Sequence, residues 1–373
     1  MDFDFPDELH QLRAEARRFL ATRCPPAAAR RALDSGTGID RTLWAALAEM
    51  GWLGAALPER HGGAGLGHLA LCVLSEEIGR ALAPLPWASS VCLGAEAIAA
   101  HGSPAQQARL LPALAAGRTI ATFAFAERPG PADPRRLTAA VADNRLTGRK
   151  CAVPDGMGAD VAVVAVQGGA GPWLWLVDLA GPGVTRQAAD SIDPSRPHAT
   201  LDFAAAPAEP LPGATGAEAI RRLLDRAAVL AAFEQLGTAE AALEMACAYA
   251  KQRFAFGRQI GSFQAIKHKL ADLYIAIELA RSNAYYGAWA LEKDSAELPI
   301  AAAVARIAAC EAGWLATKEN IQTHGGMGFT WAFDCHLYYR RARDQALALG
   351  AAREWKHRLI AALAARNAPA RAD

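Results

Sequence analysis

The sequence predicts an α+β chain in three parts: a helical region over 1–117, a run of short strands over 118–212 and a helical bundle over 213–373. Three observations carry this reading. Apolar residues follow helical spacing up to about residue 117. From Arg118 the period changes to short alternating runs separated by Gly and Pro, with no helix between them. After the Pro/Gly-rich stretch 207–216, long Ala-rich helical patterns take over. With 373 residues, two to three domains is the ordinary expectation at about 150 residues each.

Taken in order, Pro6 suits a first helical turn, and Leu9, Leu12, Ala16 and Phe19 follow at helical spacing. A second helix covers about Arg41 to Met50. GWLGAALPERHGGAGLG (51–67) has too many glycines for a helix and reads as a loop. Helical patterns resume over Leu69–Leu82, Ala95–Ala100 and Ala105–Ala115. ATFAFAE (121–127) then alternates as a half-buried strand does. Residues 137–156 read as two strands around an Asp143-Asn144 turn, closed by Pro154-Asp155-Gly156. Three more short strands follow, and about seven strands without crossover helices predict an antiparallel barrel or sandwich. No G-x-G-x-x-G follows a strand, which leaves a Rossmann fold without support. One helix then spans Glu218–Arg253, further helices cover Phe263–Leu291 and Pro299–His324, and a last helix follows HGGMGF (324–329). Helices this long and rich in Ala pack as an antiparallel bundle.

Composition removes several function classes. Lys plus Arg is 39 against 38 for Asp plus Glu, so no basic excess exists to hold nucleic acid. The apolar runs are short of the roughly 20 residues of a membrane span, and the acidic N-terminus has no signal-peptide pattern. Seven scattered cysteines with no CxxC pair point to reduced thiols in a cytoplasmic protein. His324 and His336 lack the companions a metal site needs.

Two segments carry chemistry. In RFAFGRQIGSFQAIKHKLADL (253–273), Arg253 is placed to pair with a pyrophosphate and Phe256 to meet a planar ring, unless they are surface and core. In IQTHGGMGFTW (321–331), Gly325 and Gly326 let a backbone approach a ligand, or end a helix. Together they resemble the flavin-dependent acyl-CoA dehydrogenases. Arg253, Phe256, Gly257, Ile260 and Gln264 match R-x-x-F-G-x-x-I-x-x-x-Q, and Gln322, Gly325, Gly326, Gly328 and Phe329 match Q-x-x-G-G-x-G-F. LPERHGGAG and GRKCAVPDG are similar too. The form HGGMGFTW…HLYYRRA resembles the branch acting on steroid side-chain, bulky or dicarboxylyl acyl-CoAs.

The resemblance implies a helical domain, a β-barrel and a four-helix bundle. It implies FAD, held by Arg253, Phe256 and Gln264 of one subunit and Gln322, Gly325 and Gly326 of the next. It also implies an acyl-CoA substrate, a carboxylate base for the α-proton, an electron-transfer flavoprotein as acceptor and a tetramer. The usual base positions hold Leu349, Ala227 and Ala332 instead of Glu. Ala126, Cys151 and Ala255 replace further family residues. Glu234, seven residues after Ala227 and so on one helix face, is the best remaining base; a Glu paired with a bundle Arg is the alternative. Asp334 is a distant further candidate as base. Asp225 is a candidate for the CoA adenine, or an exposed helix-start carboxylate. With so many substitutions, a weakly catalytic subunit of a heteromeric dehydrogenase is the rival reading.

Overall fold

The computed structural model describes residues 5–36, 38–169 and 171–368. The N-terminal part is helical: α1 (Asp7–Arg23), α2 (Pro26–Ser35), α3 (Arg41–Glu49), α4 (Gly67–Arg80), α5 (Glu96–His101) and α6 (Pro104–Ala115). The sequence pattern shows no α2, whose Pro at the first position and left-handed Gly36 at its end nonetheless mark both termini. The segment 51–67 is a loop with two single turns of 3-10 helix. A π-helical stretch, Trp87–Ala95, leads directly into α5.

The strands are β1 (Ala121–Ala124), β2 (Ala140–Ala142), β3 (Arg145–Pro154), β4 (Val161–Gly168), β5 (Gly171–Asp178), β6 (Val184–Ala189) and β7 (His198–Thr215). Strands β4, β5, β7, β3 and β2 pair in a closed ring, the last step a parallel bridge from Ala140 to Gln167. The β-barrel is therefore present. It is not wholly antiparallel, because β1 also lies parallel on β4. β1 is buried on both faces rather than one. Residues 207–215 are strand rather than spacer: β7 keeps its pairing with β3 and β5 through Pro207 and Pro210. Asp143 and Asn144 both adopt positive φ, as a two-residue hairpin turn requires.

The C-terminal part holds α7 (Ala217–Gln252), α8 (Gln264–Glu292), α9 (Leu298–His324), α10 (Cys335–Ala348) and α11 (Ala352–Arg366). The expected last helix is two, broken at Gly350, whose φ of 92° only glycine adopts easily. By length and composition Leu298–Phe329 would span a membrane. It is apolar because α9 packs against α7, α8, α10 and α11 at once.

α4 and α7 cross in direct backbone contact. A Cβ on Gly79 would stand 1.8 Å from the Glu234 carbonyl oxygen, and one on Gly237 would stand 1.8 Å from that of Glu76. The Thr238 hydroxyl donates to the Gly79 carbonyl at 3.1 Å across the same crossing. Neither backbone oxygen can retreat without moving a helix. Gly237→Ala is therefore expected to destabilise the protein by roughly 3 kcal/mol or more, above the gain Ala brings to an exposed helix. A chemical-denaturation midpoint equal to wild type would show that the helices part freely.

Candidate functional site

A cleft enclosing about 670 Å³, its open mouth included, lies where the three parts of the chain meet. α7 contributes Ala227, Ala231 and Glu234, one helix face by spacing. α10 and its end contribute Asp344, Gln345, Ala348 and Leu349 by the same logic. The π-helical stretch supplies Ser89, Cys92 and Leu93, and the barrel supplies Asp155 and the segment Arg196–His198. Small side chains on α7 keep the space open, since an alanine removes bulk without breaking the helix.

The polar lining is dense. Glu234 is buried and ion-paired with Arg196, which comes from the barrel and not from the bundle. Burial pushes the Arg196 guanidinium down to about 10. The Asp155 carboxylate accepts a 2.5 Å hydrogen bond from the Ser89 hydroxyl, and burial pushes it up to about 6. Burial likewise raises Asp344, whose Oδ1 is 3.7 Å from His198 Nε2. Two of the positions where acyl-CoA dehydrogenases carry Glu, Ala227 and Leu349, face this cleft. Ala332 is exposed outside its lining. Asp334 is also outside and pairs with Arg30 at 2.5 Å.

Asp225 is not an exposed helix-start residue. It is 3% exposed inside α7, pairs with Arg358 of α11 at 2.6 Å, and burial pushes it up to about 7. It does not line the cleft.

The second region is the far end of the bundle. Tyr249, one turn before Arg253, stacks on His324 at 4.0 Å, immediately before Gly325. The two sequence motifs thus sit at one end of the molecule. Arg253 follows α7 and is exposed, with no side-chain partner among the described residues. Phe256 is 94% exposed at φ 54°, on the turn before Gly257. Gln264 opens α8 and Gln322 lies near the end of α9, both exposed. A Cβ on Gly325 or Gly326 would meet nothing within 4 Å, so this backbone is open to a ligand or another chain. His324 is held internally, its Nδ1 2.9 Å from the Asn320 carbonyl. No cluster of metal-ligating side chains occurs among the described residues.

Sequence reasoning missed Asp155, Arg196, His198, Asp344 and Gln345. Asp155 lies inside the similar segment GRKCAVPDG without standing out there, and no motif marks the other four, which come from a loop, the start of β7 and α10.

A cleft lies between the barrel and the helical bundle, and an open glycine backbone lies at the bundle's end. Residues 6–118 match the acyl-CoA dehydrogenase N-terminal domain and residues 214–363 its C-terminal domain. The chain is 36% identical over 356 residues to acyl-CoA dehydrogenase IpdE2 of Mycobacterium tuberculosis, covering 95% of this chain and 96% of that one. A solved variant of the Tcur3481-Tcur3483 steroid ACAD is 36% identical, with a TM-score of 0.89 over 96% of this chain and 98% of that one. The ChsE4-ChsE5 complex from Mycobacterium tuberculosis is 29% identical, with a TM-score of 0.90 over 99% and 100%. The chain belongs to the acyl-CoA dehydrogenase family, in the part that includes steroid dehydrogenases. It is an oxidoreductase of a flavoprotein family.

The buried carboxylates set a pH dependence. Asp155 has a folded value above its ordinary 3.8, so burial favours its neutral form. Its contribution is fully present below about pH 4 and is lost as pH rises through about 6. Asp155→Asn should therefore stabilise the protein at pH 8 by roughly 3 kcal/mol and leave it unchanged near pH 4. Paired thermal melts across this range check it; a gain independent of pH would disprove the linkage.

Proposed function

We propose that this chain dehydrogenates an acyl-CoA thioester between its α and β carbons, with FAD as cofactor and an electron-transfer flavoprotein as acceptor. The observation that carries this is the exposed cradle at the bundle's end. Arg253 offers a guanidinium for a pyrophosphate, and Phe256 a free ring face. Gln264 and Gln322 offer amides, and Gly325 and Gly326 an open backbone. These groups fit an anionic, planar dinucleotide, and their exposure fits a site completed by a neighbouring chain in a tetramer. FAD, when bound, supplies the hydride acceptor.

The chain's own part is the proton. Glu234 is the carboxylate that α7 turns into the cleft, and we assign it as base for the α-proton. Arg196 pairs with this carboxylate and must release it as the proton arrives. This pairing also favours a second reading. If Glu234 stays bound to Arg196, the base belongs to a different chain of a mixed assembly, and this chain completes that partner's flavin site. Asp225, buried against Arg358, is then a carboxylate for a CoA adenine only if that pair opens.

Two measurements test this. Arg253→Ala should lose most bound flavin on gel filtration while keeping wild-type melting, because no neighbour replaces a guanidinium on a pyrophosphate. Unchanged flavin absorbance would make Arg253 a plain surface residue. Glu234→Gln should keep flavin but slow its bleaching, by the best thioester of an acyl-CoA panel, at least roughly a hundredfold. Equal rates in stopped flow would assign the base to another chain.

A further inference from the structure

The cleft holds polar groups whose hydrogen bonds are not made among the described residues. Gln345 is 3% exposed, and neither its side-chain oxygen nor its nitrogen has a partner there. The buried Arg196 Nε has none either. Asp344 is 6% exposed and accepts no hydrogen bond from the described residues; its Oδ1 lies 3.7 Å from His198 Nε2. All of these line the same cleft. Each buried donor or acceptor left unmade keeps the full cost of its lost hydration. Two such side chains on one wall, with the Asp344 carboxylate beside them, mark a binding surface rather than packing.

The chemistry of the set selects its ligand. Arg196 Nε–H and the Gln345 amide nitrogen donate, while Asp344 and the Gln345 amide oxygen accept. A group that both donates and accepts satisfies them together, and an aliphatic hydroxyl does so. A plain alkyl chain would displace water from these groups and return nothing. A carboxylate would face Asp155, Glu234 and Asp344 with Arg196 as the single guanidinium in the lining. Apart from Ser89, Asp155, His198 and Glu234 the rest of the wall is apolar, through Leu85, Cys92, Leu93 and Leu349. The geometry points to an acyl group that is apolar over most of its surface and carries a hydroxyl, bound by Asp344, Gln345 and Arg196. This specificity rests on the acyl-CoA reading of the cleft.

Calorimetric titration of the flavin-loaded protein with octanoyl-CoA and with the set of monohydroxyoctanoyl-CoA isomers tests it. At least one hydroxylated isomer should bind roughly tenfold tighter than octanoyl-CoA, since a site built to hydrogen-bond a hydroxyl rejects the analogue that lacks it. Gln345→Leu and Asp344→Asn should each erase most of that preference while octanoyl-CoA affinity stays within roughly threefold. Neither substitution threatens the fold, because each removes an unsatisfied or charged buried group. If octanoyl-CoA binds as tightly as every hydroxylated isomer, the hydroxyl site does not exist and the acyl-CoA reading stands. If the preference survives both substitutions, these residues do not form the site. If no thioester binds at all, the acyl-CoA reading fails and this inference with it.

Discussion

The crossing of α4 and α7 fixes the rest of the molecule. Glycines at Gly79 and Gly237 let the two backbones touch, each against the other helix's carbonyl. α7 has 36 residues and so runs about 54 Å at 1.5 Å per residue. Its first half packs against the barrel and lines the cleft. Its middle is clamped by α4, and its end delivers Arg253. One rigid rod therefore ties the position of the cleft to that of the exposed turn at the bundle's end.

Buried ion pairs set how the parts dock on that rod. Arg17 of α1 holds Glu77 of α4 with two hydrogen bonds, at 2.8 and 3.0 Å. Arg13 and Arg281, from α1 and α8, share Glu76. Arg341 of α10 reaches Asp193 at 2.7 Å and Ser195 at 3.1 Å in the barrel, and also the backbone at Leu82. Such pairs lose much of their Coulomb energy to desolvation, so they add little net stability. What they give here is position: each has one geometry that satisfies it. The cleft differs, because several of its polar groups have no partner among the described residues. In the cleft these are both amide atoms of Gln345 and the Arg196 Nε, side by side in one lining.

The same division explains the two faces of the functional region. The cleft is buried and polar, made of side chains from three separate parts of the chain. The cradle is exposed and made of short contiguous motifs. Exposed motifs can be read along the chain, since a dinucleotide meets consecutive residues at a turn. The cleft cannot, since its chemistry arises only where distant segments meet.

The sequence by itself determined the three-part order, the long helices and the two glycine turns at the bundle's end. Periodicity reports which face of an element is buried, and the glycine turns at Gly257 and Gly325 announce themselves. It also placed Glu234 on the face of Ala227. Only the tertiary structure decided that Arg196 of the barrel claims Glu234, and that Asp225 lies buried against Arg358. It alone closed β2 onto β4, carried β7 through its prolines and brought Asp344 and Gln345 beside Asp155. Local propensity is a property of neighbours in sequence. Ion pairing, desolvation and barrel closure depend on neighbours in space, which no residue's surroundings in the chain disclose.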